Sequence, residues 1–257
     1  MRSAADRVPV RAVLFDWGGT LSTYRPVDLL EMWRAAARVL APDDPEPVAT
    51  ALLAAEDAWW ERSTRAGDCS GTTEELVRSV AAETHLDVAG ALAAYHGAWE
   101  PTVQHDPAAV PVLRGLRERG LRTGLLSNTH WPRDLHERWL ADAGLLELLD
   151  VRLYTSDLAH MKPHPEAFAV LLREVGVPAG SSVFVGDRPR DDVWGAARGP
   201  PHGAAHRTAR PTARRGAGRR PAGPRRAARG GRRLAVRQGG RHWRSGPVVR
   251  VRRQGER

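Results

Sequence analysis

Three features of the 257-residue sequence predict an α/β fold with a parallel sheet, interrupted by one all-helical block. Between residues 106 and 198, short apolar runs alternate with helical periods that end at glycines, the rhythm of right-handed strand–helix–strand crossovers. From about Val27 to Trp99 apolar residues recur at helix spacing without strand signals. After Arg198 both rhythms stop, and 35 of the last 59 residues are Arg, Gly or Pro.

The first strand is read at Arg11–Asp16 around Val13, Leu14 and Phe15, followed by the loop Trp17-Gly18-Gly19-Thr20. In the helical block, Leu29, Met32, Trp33, Ala36, Val39 and Leu40 form one stripe, and a second helix runs from near Pro47 to Ser63. Thr72 or Thr73 caps a third helix, with Glu74 and Glu75 in its first turn. Asp87 caps a fourth, in which Gly90 is an unfavourable residue. The α/β part then reads as a helix from about Ala108 to Gly120, a strand Leu121–Ser127 and a helix Asp134–Ala143 stopped by Gly144. A strand Val151–Thr155, a helix Pro165–Val175 stopped by Gly176, a strand Ser182–Gly186 and a helix beginning near Arg190 complete it. The expected division is 1–21 with 106–198 as the core, 22–105 as the inserted block, and 199–257 as a disordered tail.

Charge divides the chain the same way. Residues 1–198 carry 21 basic and 29 acidic residues, a net of −8, whereas 199–257 carry 18 Arg and one acid, a net of +17. The overall +9 is therefore no argument that the core binds nucleic acid; a non-specific phosphate contact would belong to the tail alone. One cysteine, Cys69, excludes an internal disulfide and fits a reducing compartment. The N-terminal apolar stretch is short and broken by Pro9 and Arg11, and no apolar run spans a bilayer, so a soluble cytoplasmic protein is expected. Of 39 basic residues only Lys162 is a lysine. Where Arg serves every generic need for positive charge, a retained ammonium calls for a specific reason.

In a doubly wound sheet, ligands bind beyond the carboxyl ends of the strands. Polar residues stand there at Asp16, Ser127-Asn128, Lys162 and Asp187. Asp16 can act as a carboxylate nucleophile. Asp16 and Asp187 can hold Mg²⁺, which prefers oxygen ligands. The Ser127 hydroxyl, the Asn128 N–H and the Lys162 ammonium can hold the oxygens of a transferring anionic group.

The motifs Leu14-Phe15-Asp16-Trp17-Gly18-Gly19-Thr20-Leu21, Leu125-Leu126-Ser127-Asn128, Met161-Lys162-Pro163-His164-Pro165, and Val185-Gly186-Asp187 with Asp191-Asp192-Val193-Trp194-Gly195-Ala196 occur in that order. Their order and spacing resemble the haloacid dehalogenase superfamily of hydrolases across residues 10–198. The resemblance implies a Rossmann-like core, with the helical block as a cap over a small phosphate ester. It implies an aspartyl-enzyme intermediate on Asp16, phosphate contacts from Thr20, Ser127, Asn128 and Lys162, and Mg²⁺ held by Asp16, the Gly18 carbonyl and Asp187. Asp191 or Asp192 would support the ion, and the spacing fits either. Oligomeric state and substrate identity are not readable from these motifs.

One position departs from that pattern. Phosphatases of the family usually carry a second aspartate, the general acid and base, two residues after the nucleophile; here Gly18 stands there. Another group supplies that proton transfer, the leaving group needs none, or the catalyst is weak. Phosphonoacetaldehyde hydrolases lack that aspartate but need a cap lysine, and this block has none. Haloacid dehalogenation, which uses the same nucleophile without a metal, is the alternative chemistry, and the retained Asp187, Asp191 and Asp192 argue against it.

Blander roles compete elsewhere. Asp191 or Asp192 can cap a helix start. His130 and Arg133 can touch substrate but read better as a solvated loop; Trp59 and Trp60 can line the cleft, with core packing of at least one the better reading; Cys69 reads as an unactivated thiol. For 199–257, a GC-rich message read out of frame explains the Arg/Gly/Pro/Ala mixture better than a nucleic-acid-binding arm does. On that reading the chain is an inactive frameshifted product unless the core survives alone.

Overall fold

The computed structural model describes residues 8–23, 25–81 and 86–198, and the backbone of 204–206. The expectations for the tail lie outside the described residues except at 204–206.

Five parallel strands form the sheet: β1 (Ala12–Phe15), β2 (Arg122–Ser127), β3 (Val151–Tyr154), β4 (Ser182–Val185) and β5 (Ala204–His206), in the order β3-β2-β1-β4-β5. The central strand β1 faces β2 and β4 at once, with Phe15 opposite both Leu125 and Val185. The strand order reverses between β1 and β4, the switch point where ligands bind in such sheets. β5 lies within the stretch 199–257 that the sequence reads as a tail. Its register, Val183 opposite Ala204, gives the otherwise open edge of β4 a backbone partner.

Strand alternation sends successive residues to opposite faces. Ala12 and Leu14 join Leu126, Phe168, Leu171 and Phe184 under α7 (Pro165–Val175). Phe15 and Leu125 join Leu113, Leu140 and Tyr154 under α5 (Ala109–Glu118) and α6 (Arg133–Asp142). Gly120, Gly144 and Gly176, at the expected stops, have φ of 73°, 67° and 71°, the left-handed conformation that ends helices. After β4, a π-type turn, Pro189–Trp194, runs into α8 (Gly195–Arg198).

The block between β1 and β2 contains α1 (Leu29–Leu40), α2 (Pro45–Arg65), α3 (Thr73–Val80) and α4 (Val88–Trp99). Trp33, Ala36, Leu40, Leu52, Leu76, Val77, Ala91 and Tyr95 make its core. Leu29 and Val39 are exposed, because the buried stripe of α1 is 33–36–37–40. The two candidate caps of α3 separate: Thr72 forms a reciprocal capping box with Glu75, while Thr73 is buried. Asp87 caps α4 through the Gly90 N–H at 2.8 Å.

Candidate active site

The register brings the carboxyl ends of β1, β2 and β4 to one edge, and Asp16, one residue past β1, donates its N–H to the Val185 carbonyl at 2.9 Å. Beyond it the chain turns sharply: the Trp17 carbonyl accepts from the N–H groups of Thr20, Leu21 and Ser22. Gly19 makes this turn at φ 79°, where a side chain would be strained.

Lys162 is 2% exposed. Its Nζ lies 2.6 Å from Asp16 Oδ1 and 2.7 Å from Asp192 Oδ1. Asn128 holds its backbone, donating from Nδ2 to the Lys162 carbonyl at 2.7 Å and accepting from its N–H at 2.8 Å. The other Asp192 oxygen accepts from the Arg188 N–H at 2.9 Å. Gly186 permits this packing, because a Cβ there would collide with the Asp192 carboxylate. Asp192 thus spends both oxygens orienting Lys162 and the 187–192 turn.

Burial pushes the Asp16 carboxyl up to about 6, against the pull of Lys162. Burial opposes the Lys162 charge, but Asp16 and Asp192 outweigh it and raise its pKa above the ordinary value. Burial also raises Asp187 and Asp191. One oxygen each of Asp16, Asp187 and Asp192 lies within 4.8 Å of the others. Asp187 Oδ1 is buried without a hydrogen-bond partner. Such an oxygen is costly unless a cation or proton meets it. This cluster of hard oxygen donors fits Mg²⁺.

Asp16, Trp17, Gly18, Ser127, Asn128, Lys162, Arg188 and Asp191 line a small cleft at this edge. Every expected site residue except Thr20, Asp187 and Asp192 therefore lines the cleft; Asp187 and Asp192 lie against Asp16 in the acidic cluster. The Thr20 hydroxyl is buried without a hydrogen-bond partner and is not in the lining. Asp191 sits outside the three-carboxylate cluster, 3.6 Å from Arg188 and 3.5 Å from Arg190.

Several residues here were not singled out from the sequence. Arg188 and Trp17 line the cleft. Among 38 arginines, Arg188 carried one signal, its place directly after Asp187. His130 corrects the solvated-loop reading: it is buried, with Nε2 3.0 Å from Glu56 and its carbonyl accepting from Thr73 N–H at 2.7 Å. Burial opposes the Glu56 charge, yet hydrogen bonds from His130, Trp33 and Trp60 hold its carboxyl below the usual range. Arg133 pairs with Asp157 at 2.9 Å. Trp59 and Trp60 both pack edge-on to His130, outside the cleft.

The family model for haloacid dehalogenase-like hydrolases matches residues 10–199, and the chain belongs to that family of hydrolases. Among its relatives is a phosphoglycolate phosphatase of Cupriavidus necator, 31% identical over 202 residues that make up 76% of this chain and 80% of that protein. A glyceraldehyde 3-phosphate phosphatase of Methanopyrus kandleri is 28% identical over 128 residues, 48% of this chain and about half, 52%, of that protein. Among solved structures, a HAD phosphatase from Thermococcus onnurineus superposes with a TM-score of 0.56 at 26% identity, covering 81% of this chain and 90% of that one. An L-2-haloacid dehalogenase from Xanthobacter autotrophicus shares the fold, with a TM-score of 0.51 at 21% identity over 79% of each chain. No described helix is long and apolar enough to cross a membrane.

Proposed function

We propose that this chain is a Mg²⁺-dependent phosphatase that hydrolyses a small phosphate monoester through a covalent intermediate on Asp16. The observation that carries this reading is the juxtaposition of a buried, lysine-paired Asp16 carboxylate with the unpartnered Asp187 oxygen at the sheet's switch point. Metal-free dehalogenation leaves that oxygen without a role. The phosphatase relatives agree with the choice.

Asp16, Asp187 and the Gly18 carbonyl would hold the ion. When bound, Mg²⁺ supplies positive charge beside the transferring phosphoryl group. Asp16 attacks phosphorus, forming an Oδ–P bond as the bond from phosphorus to the ester oxygen breaks. Lys162, the Ser127 hydroxyl and backbone N–H groups of the cleft orient the phosphoryl oxygens. Water then attacks the phosphorus of the aspartyl phosphate, releasing inorganic phosphate and restoring the Asp16 carboxylate. Lys162, held by Asp192, keeps the nucleophile oriented in both steps.

With Gly18 in place of a carboxylate, the side-chain groups lining the cleft that could carry a proton are Asp16, Lys162 and Asp191. The reading therefore favours esters whose leaving group departs with little protonation. Helices α1–α4 would act as the cap and confine the cleft to a small substrate. Magnesium-dependent turnover of p-nitrophenyl phosphate, abolished by Asp16→Asn, is the expected result. Absence of turnover across a broad panel of phosphate esters with Mg²⁺ present would sink the proposal.

A further inference from the structure

The loop between α2 and α3 belongs to the helical block, yet it is tied to two of the strand-end loops that build the cleft. Asp68 makes both ties. Its carbonyl accepts from the Met161 N–H at 2.8 Å, next to Lys162. Its carboxylate accepts from Arg190 Nη2 at 2.8 Å, in the turn that carries Asp187, Arg188 and Asp192. A neighbouring bond, Ser70 N–H to the Ala159 carbonyl at 3.1 Å, and a bridge between Cys69 and His160 continue the first tie.

The charges then run inward. Arg190 also lies 3.5 Å from Asp191, and Asp191 lies 3.6 Å from Arg188, which lines the cleft. Asp68 has φ 59°, and among the described residues other than glycine it is the one residue with positive φ. Asp and Asn tolerate this conformation better than other side chains, but it is still disfavoured. Disfavoured backbone is retained where the surroundings over-determine it, often at functional sites. The Asp68 side chain is only 14% exposed, although its loop lies outside both hydrophobic cores of the sheet.

We infer that Asp68 is a positioning residue of the hydrolytic site. It fixes the Lys162 loop through its carbonyl and the 187–192 turn through its carboxylate, so that the helical block sets the geometry of the cleft as well as covering it. It touches neither substrate nor metal, and acts through Met161 and Arg190. The assignment concerns the geometry of the site proposed above and rests on that reading for its consequence in turnover.

Three substitutions separate the two properties of Asp68. Asp68→Asn keeps an acceptor and the left-handed backbone. Asp68→Gly keeps the backbone and removes the acceptor. Asp68→Ala compromises both. Each full-length variant is titrated with inorganic phosphate in Mg²⁺ by calorimetry, assayed for kcat and KM with p-nitrophenyl phosphate, and checked by urea unfolding. Asp68→Gly should weaken phosphate binding about tenfold and lower kcat by about 10- to 100-fold, the cost of a displacement on the order of 1 Å in a preorganised site. Its unfolding midpoint should stay near wild type, because the ion pair it loses is partly exposed. Asp68→Asn should recover both readouts to within about threefold, and Asp68→Ala should be the worst of the three.

Wild-type phosphate affinity and kcat in Asp68→Gly would overturn the assignment while leaving the phosphatase reading intact. So would an Asp68→Asn variant as impaired as Asp68→Gly, or a loss that merely tracks unfolding. A wild-type chain that turns over no phosphate ester, yet binds phosphate in an Asp68-dependent way, would sink the phosphatase reading and leave the assignment standing. Absence of phosphate binding in the wild type would overturn it.

Discussion

Replacing Lys162 with Met keeps an apolar stem of similar length near Phe184, whose ring lies 5.2 Å from the ammonium, and removes the charge. The carboxylates of Asp16 and Asp192, 2.6 and 2.7 Å from that ammonium, then remain buried with no cation between them. Removing one partner of a buried ion pair costs about 3–5 kcal/mol. That is a large share of a total folding stability of about 5–15 kcal/mol. The sign of the pH dependence follows from the same geometry. Burial already lifts Asp16 to about 6 with Lys162 present; without the ammonium the Asp16 carboxyl rises further. A carboxyl whose folded pKa lies above its unfolded value favours folding while protonated, and that contribution is lost as pH rises through the folded pKa. The deficit of Lys162→Met should therefore be larger near pH 8 and much reduced near pH 5, close to the ordinary carboxyl range. Urea unfolding in chelator, followed by circular dichroism at both pH values, measures it. A gap below about 1 kcal/mol at the higher pH, or the same gap at both, would refute the reasoning.

Three further outcomes follow from the same structure. Glu56→Gln removes the charge that His130 and Trp33 hold at 3.0 and 2.7 Å, and should cost about 1.5–3 kcal/mol at neutral pH. Because the folded Glu56 carboxyl is held below its unfolded value, the difference should vanish as pH falls through that depressed range; a pH-independent loss would contradict the pairing. Gly186→Ala drives a Cβ into the Asp192 carboxylate, and should cost about 1–3 kcal/mol and at least about tenfold in kcat, read by unfolding and steady-state kinetics. The acid limb of kcat/KM should rise with pH as Asp16 ionises, near 6 at low Mg²⁺, and move to lower pH as Mg²⁺ is raised. A limb indifferent to Mg²⁺ concentration would argue against an ion beside Asp16.

The sheet and its order of chemistry were legible because they depend on local signals. Helix stops at Gly120, Gly144 and Gly176 are backbone requirements, and the apolar runs of β1, β2 and β4 place their polar ends in fixed positions. Lys162 stood out by rarity, and its burial between two carboxylates gives a physical reason for an ammonium at that position. Contacts across long sequence separations were not legible. His130 reaches Glu56 across 74 residues, and Arg190 reaches Asp68 across 122, between elements whose packing no local pattern encodes. Arg188 was hidden by composition, since in a chain with 38 arginines an additional one draws no notice. Which of Asp191 and Asp192 turns inward was not legible either, because it depends on the close packing of Asp192 on Gly186.

The central claim is that Asp16 carries the phosphoryl group during hydrolysis. The most direct measurement is mass spectrometry of the Asp16-containing peptide after rapid acid quench of the full chain turning over p-nitrophenyl phosphate with Mg²⁺. The account predicts a transient adduct of one phosphoryl group on Asp16, absent without Mg²⁺ and absent in Asp16→Asn. Turnover with no phosphorylated Asp16 at any quench time, or turnover that survives Asp16→Asn, would contradict it.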